Sequence, residues 1–290
     1  MQFIKLSQTG LTVSRLCLGT GTFGKQTDES ESFRVFEKAA DAGVNFIDTA
    51  DVYPGGADLP EVGRAEEITG RWLKGKRGRF ILGTKAGGRM GSSPWDQGSS
   101  RKHLLDAIEA SLRRLNTDYV DLYQLHMDDA ATPLDETVEA LDAIVRSGKA
   151  RYIGVSNFLA YRLARAIGHQ DTLRLARFVS AQPRYNLLFR EIERELLPLA
   201  QEENLAVIPY NPLAGGLLSG KYRQDEKPEK GRFSAEVEQF GTAYRARYWH
   251  QREFGTVGKL REIASFGSAS PLSSAISHSL PTVPNSRRCQ

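Results

Sequence analysis

Short apolar runs that end in a polar or reactive side chain recur along this sequence, and a helix-like pattern follows most of them. Within the runs, apolar and polar residues do not alternate, which is typical of strands buried on both faces of a parallel sheet. The runs cover residues 15–20, 44–48, 80–85, 119–126, 150–157, 178–182 and 205–210. Strand–helix alternation of this regularity predicts consecutive parallel βα units.

Several segments outside these runs have patterns of their own. Helices are predicted over residues 28–42, 101–115, 134–147, 189–203 and 256–264. Ser99 or Ser100 is expected to cap the second of these helices, and Thr132 the third, with Pro133 in its first turn. Residues 3–14 predict a hairpin that turns at Thr9-Gly10. Residues 213–255 are rich in Gly, Lys, Glu and Arg, and they predict a long functional loop.

The stretch "CLGTGTFGKQ" contains G-x-G-x-x-G at Gly19, Gly21 and Gly24, and Asp48 follows at close to the spacing of a Rossmann fingerprint. In a Rossmann fold the helix opens inside the glycine loop. Here the better helix start is Thr27 or Asp28, beyond the glycines, so the glycines are expected to lie in a βα loop. A doubly wound sheet stays as the alternative.

Every apolar run ends in a side chain able to bind or react. These residues are Thr20, Asp48, Lys85, His126, Ser156, Asn157, Gln182 and Tyr210. In a (β/α)8 barrel the carboxyl ends of all strands converge on one face, which holds the active site. A doubly wound sheet would spread the same residues along a crevice. The pattern therefore favours an α/β fold of the (β/α)8 barrel type.

Composition argues against several other classes of protein. The chain has 290 residues, 40% of them hydrophobic, and a net charge of +4 from well-mixed basic and acidic residues. The absence of a basic arm argues against nucleic-acid binding. No apolar run approaches transmembrane length, and the first residues lack the apolar core of a signal peptide. The widely separated Cys17 and Cys289 suggest neither a disulfide framework nor a metal site, so a cytoplasmic protein is expected.

Ordered motifs over most of the chain resemble the aldo-keto reductase superfamily, from about residue 3 to about residue 264. They are "FIDTADVY" (46–53), "GTK" (83–85), "LYQLH" (122–126), "VGRAEEITGRWLKGKR" (62–77), "GKARYIGVSNF" (148–158) and "NPLAGGLLSGKY" (211–222). The sequence is most similar to the bacterial members related to potassium-channel β subunits. The resemblance implies a (β/α)8 TIM barrel that binds NADP(H) and reduces aldehydes and ketones to alcohols.

The family's catalytic positions fall on Asp48, Tyr53, Lys85 and His126. Reduction of a carbonyl needs a proton at oxygen, and Tyr53 is the candidate donor because a nearby Lys85 ammonium would favour the phenolate. Asp48 would hold Lys85, and His126 would orient the carbonyl oxygen. Taken singly, the four residues could instead be a helix cap, an exposed turn aromatic, a solvated strand end and a core histidine. Pro54 replaces the glycine that usually follows the tyrosine, which leaves substrate preference open.

The resemblance also assigns cofactor-binding positions. Thr20, Gly21 and Asp48 are expected at the nicotinamide end. Ser156, Asn157 and Gln182 would hydrogen-bond the carboxamide, and Tyr210 would stack on the ring. The loop that wraps the pyrophosphate corresponds to Asn211, Pro212, Leu213, Gly215 and Lys221. A glycine-rich loop with one cation suits phosphate oxygens.

The resemblance ends near residue 264, and residues 265–290 are rich in serine and proline without a helix or strand period. This composition predicts a disordered tail after a barrel over residues 1–264. The eighth strand, the last helix and the motif that binds the 2′-phosphate are not identifiable, so a reduced preference for NADPH over NADH is expected. The abrupt change is typical of a reading-frame shift.

Two other functions are compatible with the sequence. One is a regulatory module that binds a nucleotide without useful turnover. The other is a Schiff-base aldolase, because a lysine at a barrel strand end can attack a carbonyl. The expected partner is a small carbonyl compound, and the sequence leaves its identity and the oligomeric state open.

Overall fold

The structure, a computed structural model, describes residues 1–234 and 238–266. The tail predicted to be disordered lies outside the described residues except for its first two positions. The chain forms two compact units. The first contains residues 1–182 and 202–208, and the second contains residues 183–201 and those from 209 onward.

The first unit begins with the predicted hairpin. Strands β1 (Phe3–Lys5) and β2 (Thr12–Ser14) pair antiparallel, with Ile4 opposite Val13. Leu6 and Val13 bury their side chains against Phe46 and Leu122 of the sheet described next. The hairpin therefore covers the amino-terminal end of that sheet, away from the strand ends that carry the polar residues.

A seven-stranded sheet follows, in which all neighbours are parallel. Its strands are β3 (Cys17–Gly19), β4 (Phe46–Asp48), β5 (Ile81–Ala86), β6 (Val120–Leu125), β7 (Ala150–Ser156), β8 (Phe178–Gln182) and β9 (Ala206–Val207). Strand order follows chain order without the reversal of a doubly wound sheet. The fold is thus of the (β/α)8 barrel type and the Rossmann alternative is wrong; the described residues contain seven of the barrel strands.

Five helices connect these strands within the first unit. They are α1 (Glu29–Asp41), α2 (Arg64–Leu73), α3 (Arg101–Leu115), α4 (Leu134–Arg146) and α5 (Ala160–Leu173). The Asp28 side chain caps α1 by accepting a hydrogen bond from the amide of Glu31 at 2.8 Å. The helix therefore starts beyond the glycine-rich stretch, as predicted. Ser100 caps α3 in the same way.

The start of α4 differs from the prediction. Pro133 occupies the N-cap position and the helix begins at Leu134. Thr132 does not cap it, because its hydroxyl donates to the Asp129 carboxylate at 2.6 Å. A neighbouring carboxylate accepts a stronger hydrogen bond than a hydroxyl oxygen can receive from a helix amide.

Alternation along the strands gives the sheet two chemically different faces. Lys85 lies beside Gln124 in the register, and Thr84 lies beside Tyr123. The Thr84 hydroxyl reaches Glu66 of α2, and the Tyr123 hydroxyl reaches the Leu104 carbonyl of α3. Because successive side chains point to opposite sides, Lys85 and Gln124 share the other face with Asp48. We call these the helix-covered face and the inner face.

The second unit contains more ordered structure than predicted. The expected helix over 189–203 is shorter, with a 3₁₀ turn at Glu191–Glu193 and α6 at Leu196–Glu202. Residues 213–255, expected as a loop, contain a 3₁₀ segment (Ala214–Ser219), α7 (Glu238–Tyr248) and the start of α8 (Gln251–Phe266).

An aromatic cluster organises this region, formed by Tyr222, Phe233, Tyr244, Tyr248 and Trp249. The Phe233 ring centroid lies 5.1 Å from that of Tyr222 and 4.9 Å from that of Trp249. These aromatics are irregularly spaced in the sequence, so they produce no helical stripe. Across the described residues, no helix has the length and apolar character needed to cross a membrane.

Candidate functional site

A buried ion pair lies on the inner face at the ends of β4 and β5. The Lys85 Nζ donates to Asp48 Oδ2 at 2.6 Å and to the Thr49 carbonyl at 2.7 Å. Lys85 is fully buried. Burial works against its ammonium, but the charges of Asp48 and Tyr53 and the hydrogen bond to Asp48 raise the pKa of Lys85 above its ordinary value. The alternatives of a solvated strand end for Lys85 and a helix cap for Asp48 are therefore wrong.

Tyr53 lies on the turn that leaves β4. Its amide donates to the Ala50 carbonyl at 3.1 Å, and its carbonyl accepts from the amides of Gly63 and Ala65, where α2 begins, at 3.1 and 3.3 Å. The Lys85 Nζ lies 4.9 Å from the centroid of the Tyr53 ring. The first turn of α2 and the end of β4 thus place the phenol beside the buried ammonium.

Gly21 packs on the other side of the tyrosine ring. A Cβ at this position would lie 3.6 Å from Tyr53 Cζ, and the Gly21 carbonyl accepts from the Gly55 amide at 2.9 Å. Thr20, fully buried, donates its amide to the Asp48 carbonyl at 3.0 Å. The glycine-rich stretch therefore supports the tyrosine and the ion pair.

His126 follows β6 and faces Tyr53. The two ring centroids are 5.5 Å apart and the ring planes are inclined by 82°. The His126 amide donates to the Ala86 carbonyl at 2.8 Å, and its carbonyl accepts from Asn157 Nδ2 at 2.9 Å. Burial and the Lys85 charge lower the pKa of His126 to about 3, so the imidazole is neutral at neutral pH. A neutral imidazole still donates one N–H.

Hydrogen bonds link the ends of β7 and β8 to the same ion pair. The Ser156 hydroxyl donates to the Gln182 carbonyl at 2.8 Å, and Asn157 Nδ2 donates to Ser156 Oγ at 3.0 Å. Gln182 Nε2 donates to Asp48 Oδ1 at 3.2 Å. The first unit thus brings together Thr20, Gly21, Asp48, Tyr53, Lys85, His126, Ser156, Asn157 and Gln182.

The other predicted positions lie in the second unit: Tyr210, Asn211, Pro212, Leu213, Gly215 and Lys221. The Asn211 carbonyl accepts from Asn186 Nδ2 at 3.0 Å, and its Oδ1 accepts from the Tyr244 hydroxyl at 2.7 Å. Gly215 and Gly216 have φ values of 71° and 96°. These left-handed residues turn the backbone sharply just before Lys221, whose Nζ would lie 3.5 Å from a Cβ at Gly216.

Gln124 is a polar residue of this site that the sequence patterns did not single out. It is fully buried on the inner face, and its Nε2 donates to Asp48 Oδ1 at 3.2 Å. Gly154 leaves room beside it, because a Cβ there would lie 2.1 Å from Ser180 Oγ and 3.3 Å from Gln124 Cγ. A glutamine within the run that ends at His126 was the available sequence signal, and its position beside Lys85 is known only from the strand register.

These residues suit an organic cofactor better than a metal. No group of three or more His, Cys, Asp or Glu side chains within the described part of the chain could hold a metal ion. The strand ends instead present the Ser156 hydroxyl and the amides of Asn157 and Gln182, groups that complement a carboxamide. The donor set therefore fits the nicotinamide end of a dinucleotide.

Comparison with known proteins agrees with this geometry. The family model described as "Aldo/keto reductase family" matches residues 15–285, further along the chain than the motifs reach. An uncharacterized oxidoreductase of Bacillus subtilis, YrpG, is 42% identical over 229 residues, which cover 76% of this chain and 69% of the relative.

Two further relatives carry different names. A probable voltage-gated potassium channel subunit beta of Arabidopsis thaliana is 39% identical over 81% of this chain and 71% of the relative. The aldo-keto reductase YhdN of Bacillus subtilis is 37% identical over 78% of this chain and 66% of the relative. With a family model that spans most of its length and these relatives, the chain belongs to the aldo/keto reductase family.

Proposed function

We propose that this chain is an NADP(H)-dependent oxidoreductase that reduces aldehydes or ketones to alcohols. The observation that carries the proposal is the proximity of Tyr53 to both Lys85 and His126. The ammonium lies 4.9 Å from the phenol ring centroid, and the imidazole centroid lies 5.5 Å from it. One proton donor, one cation and one neutral hydrogen-bond donor are the groups that reduction of a carbonyl requires from the protein.

Tyr53 is assigned as the general acid because the two other candidates do not suit the role. His126 carries no transferable proton at neutral pH, since its pKa lies at about 3. Lys85 is held as an ammonium by Asp48 and is fully buried. Its charge stabilises the phenolate that remains after proton transfer, and His126 donates a hydrogen bond to the carbonyl oxygen.

A nicotinamide cofactor held at this site would supply the hydride. Ser156, Asn157 and Gln182 would orient its carboxamide, and Thr20 and Gly21 would lie at the same end. The sharp backbone turn at Gly215 and Gly216, followed by Lys221, supports a pyrophosphate site in the second unit.

An assay of NADPH oxidation with a panel of aromatic and aliphatic aldehydes and ketones tests the activity. We expect turnover with at least one carbonyl class and loss of turnover in Tyr53→Phe. A wild-type chain that binds NADPH but oxidises it with no member of the panel would contradict the proposal.

A chain that binds NADPH without oxidising it would instead support a nucleotide-binding regulatory module. The similarity to a potassium-channel subunit favours this alternative. The aldolase alternative is disfavoured, because a Schiff base needs a neutral amine and the pKa of Lys85 is raised. Borohydride trapping of a substrate on Lys85 would reverse that judgement.

Cofactor selectivity is a separate part of the proposal. We expect only a modest preference for NADPH over NADH, since residues 265–290 lack a recognisable motif for the 2′-phosphate. Fluorescence titration with both cofactors measures it. Tight and strongly NADPH-selective binding would show that other residues bind the phosphate.

A further inference from the structure

Asp51 lies between Asp48 and Tyr53 in the sequence, and the proposed mechanism does not use it. It is fully buried, and its backbone amide donates to the Lys85 carbonyl at 3.0 Å. Its Oδ1 accepts from the Val52 amide at 2.7 Å. The Tyr53 amide then closes the turn on the Ala50 carbonyl. Asp51 thus joins the backbone that carries Lys85 to the turn that carries Tyr53.

The surroundings of Asp51 belong to the helix-covered face. Glu66 of α2 is fully buried and accepts from the Thr84 hydroxyl at 2.5 Å and from Arg114 Nε of α3 at 2.7 Å. The Arg114 guanidinium therefore bonds to Glu66, and it acts on Asp51 only through its charge. Asp51 Oδ2 has no hydrogen-bond partner among the described residues.

This environment disfavours a charge on Asp51. Burial and the negative charge of Glu66 raise the pKa of Asp51 well above its ordinary value, and Arg114, the Val52 amide and Lys85 offset this only in part. Tyr123 of β6 is the other titratable group that faces the two carboxyls. The surroundings therefore favour the uncharged form of the Asp51 side chain, which still offers Oδ1 as an acceptor.

We propose that Asp51 is a positioning residue whose Oδ1, through the hydrogen bond it accepts from the Val52 amide, holds the turn that places Tyr53 against Lys85. The proposal rests on the proposed function, in which Tyr53 is the proton donor. A charged Asp51 would add a second negative charge near Lys85 and weaken the ammonium's effect on the phenolate. The uncharged acid keeps the turn and leaves that effect undiminished.

Two substitutions separate the acceptor from the charge. Asp51→Asn keeps the acceptor oxygen and stays neutral, so we expect kcat within about two-fold of the wild type. Asp51→Leu has similar size but no acceptor, so we expect kcat to fall about ten-fold or more with little change in KM for NADPH, since misplacement of a catalytic group by about 1 Å costs up to about 10² in rate. Asp51→Ala gives the same comparison if the leucine variant does not fold.

A readout that needs no turnover accompanies the kinetics. The ionisation midpoint of Tyr53 is measured by ultraviolet difference titration of each variant against the same variant carrying Tyr53→Phe. We expect the midpoint to rise in Asp51→Leu and to stay in place in Asp51→Asn. Because this titration works without a substrate, absence of carbonyl reduction would overturn the proposed function and leave the positioning proposal testable.

Asp142→Leu is the matched control. Asp142 is a buried carboxyl in α4 that accepts from the Ala176 amide at 2.9 Å, away from Tyr53. We expect this variant to lose stability without a change in kcat or in the Tyr53 midpoint. The proposal is overturned if Asp51→Leu behaves like Asp142→Leu, or if Asp51→Asn loses as much activity as Asp51→Leu.

Discussion

Asp48 and Asp51 are close in sequence and both are buried, but their carboxyl groups have different neighbours. Asp48 accepts hydrogen bonds from Lys85, Gln124 and Gln182 on the inner face. Asp51 accepts one from a backbone amide, and within the described residues no cationic side chain bonds to it. Burial alone therefore does not determine the charge of a carboxyl group, because its charged and polar neighbours also contribute.

The largest effect is expected for Lys85→Met, because this substitution leaves Asp48 buried without its cation. Removal of one partner of a buried ion pair costs about 3–5 kcal/mol in the free energy of unfolding. We also expect kcat to fall about 10²-fold or more and any residual reduction to lose its normal pH dependence. Denaturant unfolding and pH–rate profiles measure the two effects.

The double variant Asp48→Asn/Lys85→Met serves as the control for Lys85→Met. It removes the stranded charge, so we expect it to recover most of the lost stability but none of the activity. Equal stability of the single and double variants, or an unchanged pH–rate profile in the single variant, would contradict the coupling of Lys85 to Asp48 and Tyr53.

Tyr53→Phe tests the chemistry on the inner face while keeping the ion pair. The ring still packs against Gly21, but the proton donor is lost, so we expect kcat to fall about 10²-fold or more. NADPH affinity and the unfolding midpoint should change little. Steady-state kinetics with fluorescence titration of NADPH checks this, and a kcat like that of the wild type would remove Tyr53 from its role.

Gln124→Leu removes one hydrogen bond from Asp48 and leaves Lys85 in place. Hydrogen bonds to charged groups contribute about 1.5–3 kcal/mol, so we expect a loss in that range in the free energy of unfolding, together with a smaller fall in kcat than Lys85→Met produces. Gln170→Leu, at another fully buried glutamine, is the control and should leave kcat unchanged. Equal kinetic effects in both variants would argue against a link through Asp48.

The smallest expected effect is the pH dependence of stability that Asp51 contributes. In the folded state the pKa of Asp51 is raised above its ordinary value of 3.8. At a pH between 3.8 and the folded-state pKa, the folded chain therefore binds one more proton than the unfolded chain. Wild-type stability should therefore fall as the pH rises above about 4 towards the folded-state pKa. Asp51→Asn lacks this penalty, so its melting temperature relative to the wild type should rise from pH 4 to pH 7. A difference that stays constant over this range would mean that Asp51 is charged in the folded state.

Much of the first unit could be predicted from the sequence. The seven apolar runs became the seven parallel strands, and the sheet order confirmed the barrel type over the doubly wound alternative. The proximity of Asp48, Tyr53, Lys85 and His126 followed from motif order and from the convergence of strand ends. Their roles in catalysis remain proposals.

Other parts depended on information that a linear pattern does not carry. Gln124 and Thr84 are both polar residues inside apolar strands, and only the register shows that they lie on opposite faces. The aromatic cluster of the second unit gathers residues without a regular spacing. Thr132 does not cap α4 because its hydroxyl donates to the neighbouring Asp129 carboxylate.

The carbonyl of Tyr53 accepts the amide hydrogens of Gly63 and Ala65 at the start of α2. Hydrogen exchange of these two amides can therefore be used to monitor the site without substrate or cofactor. Fraying of the first turn of α2 would release both amides to exchange with deuterated solvent and would free the tyrosine at the same moment. Exchange rates at these two positions therefore report how often the resting protein has its proton donor in place, and a ligand that contacts only the phenol ring should slow them from the far side of the backbone.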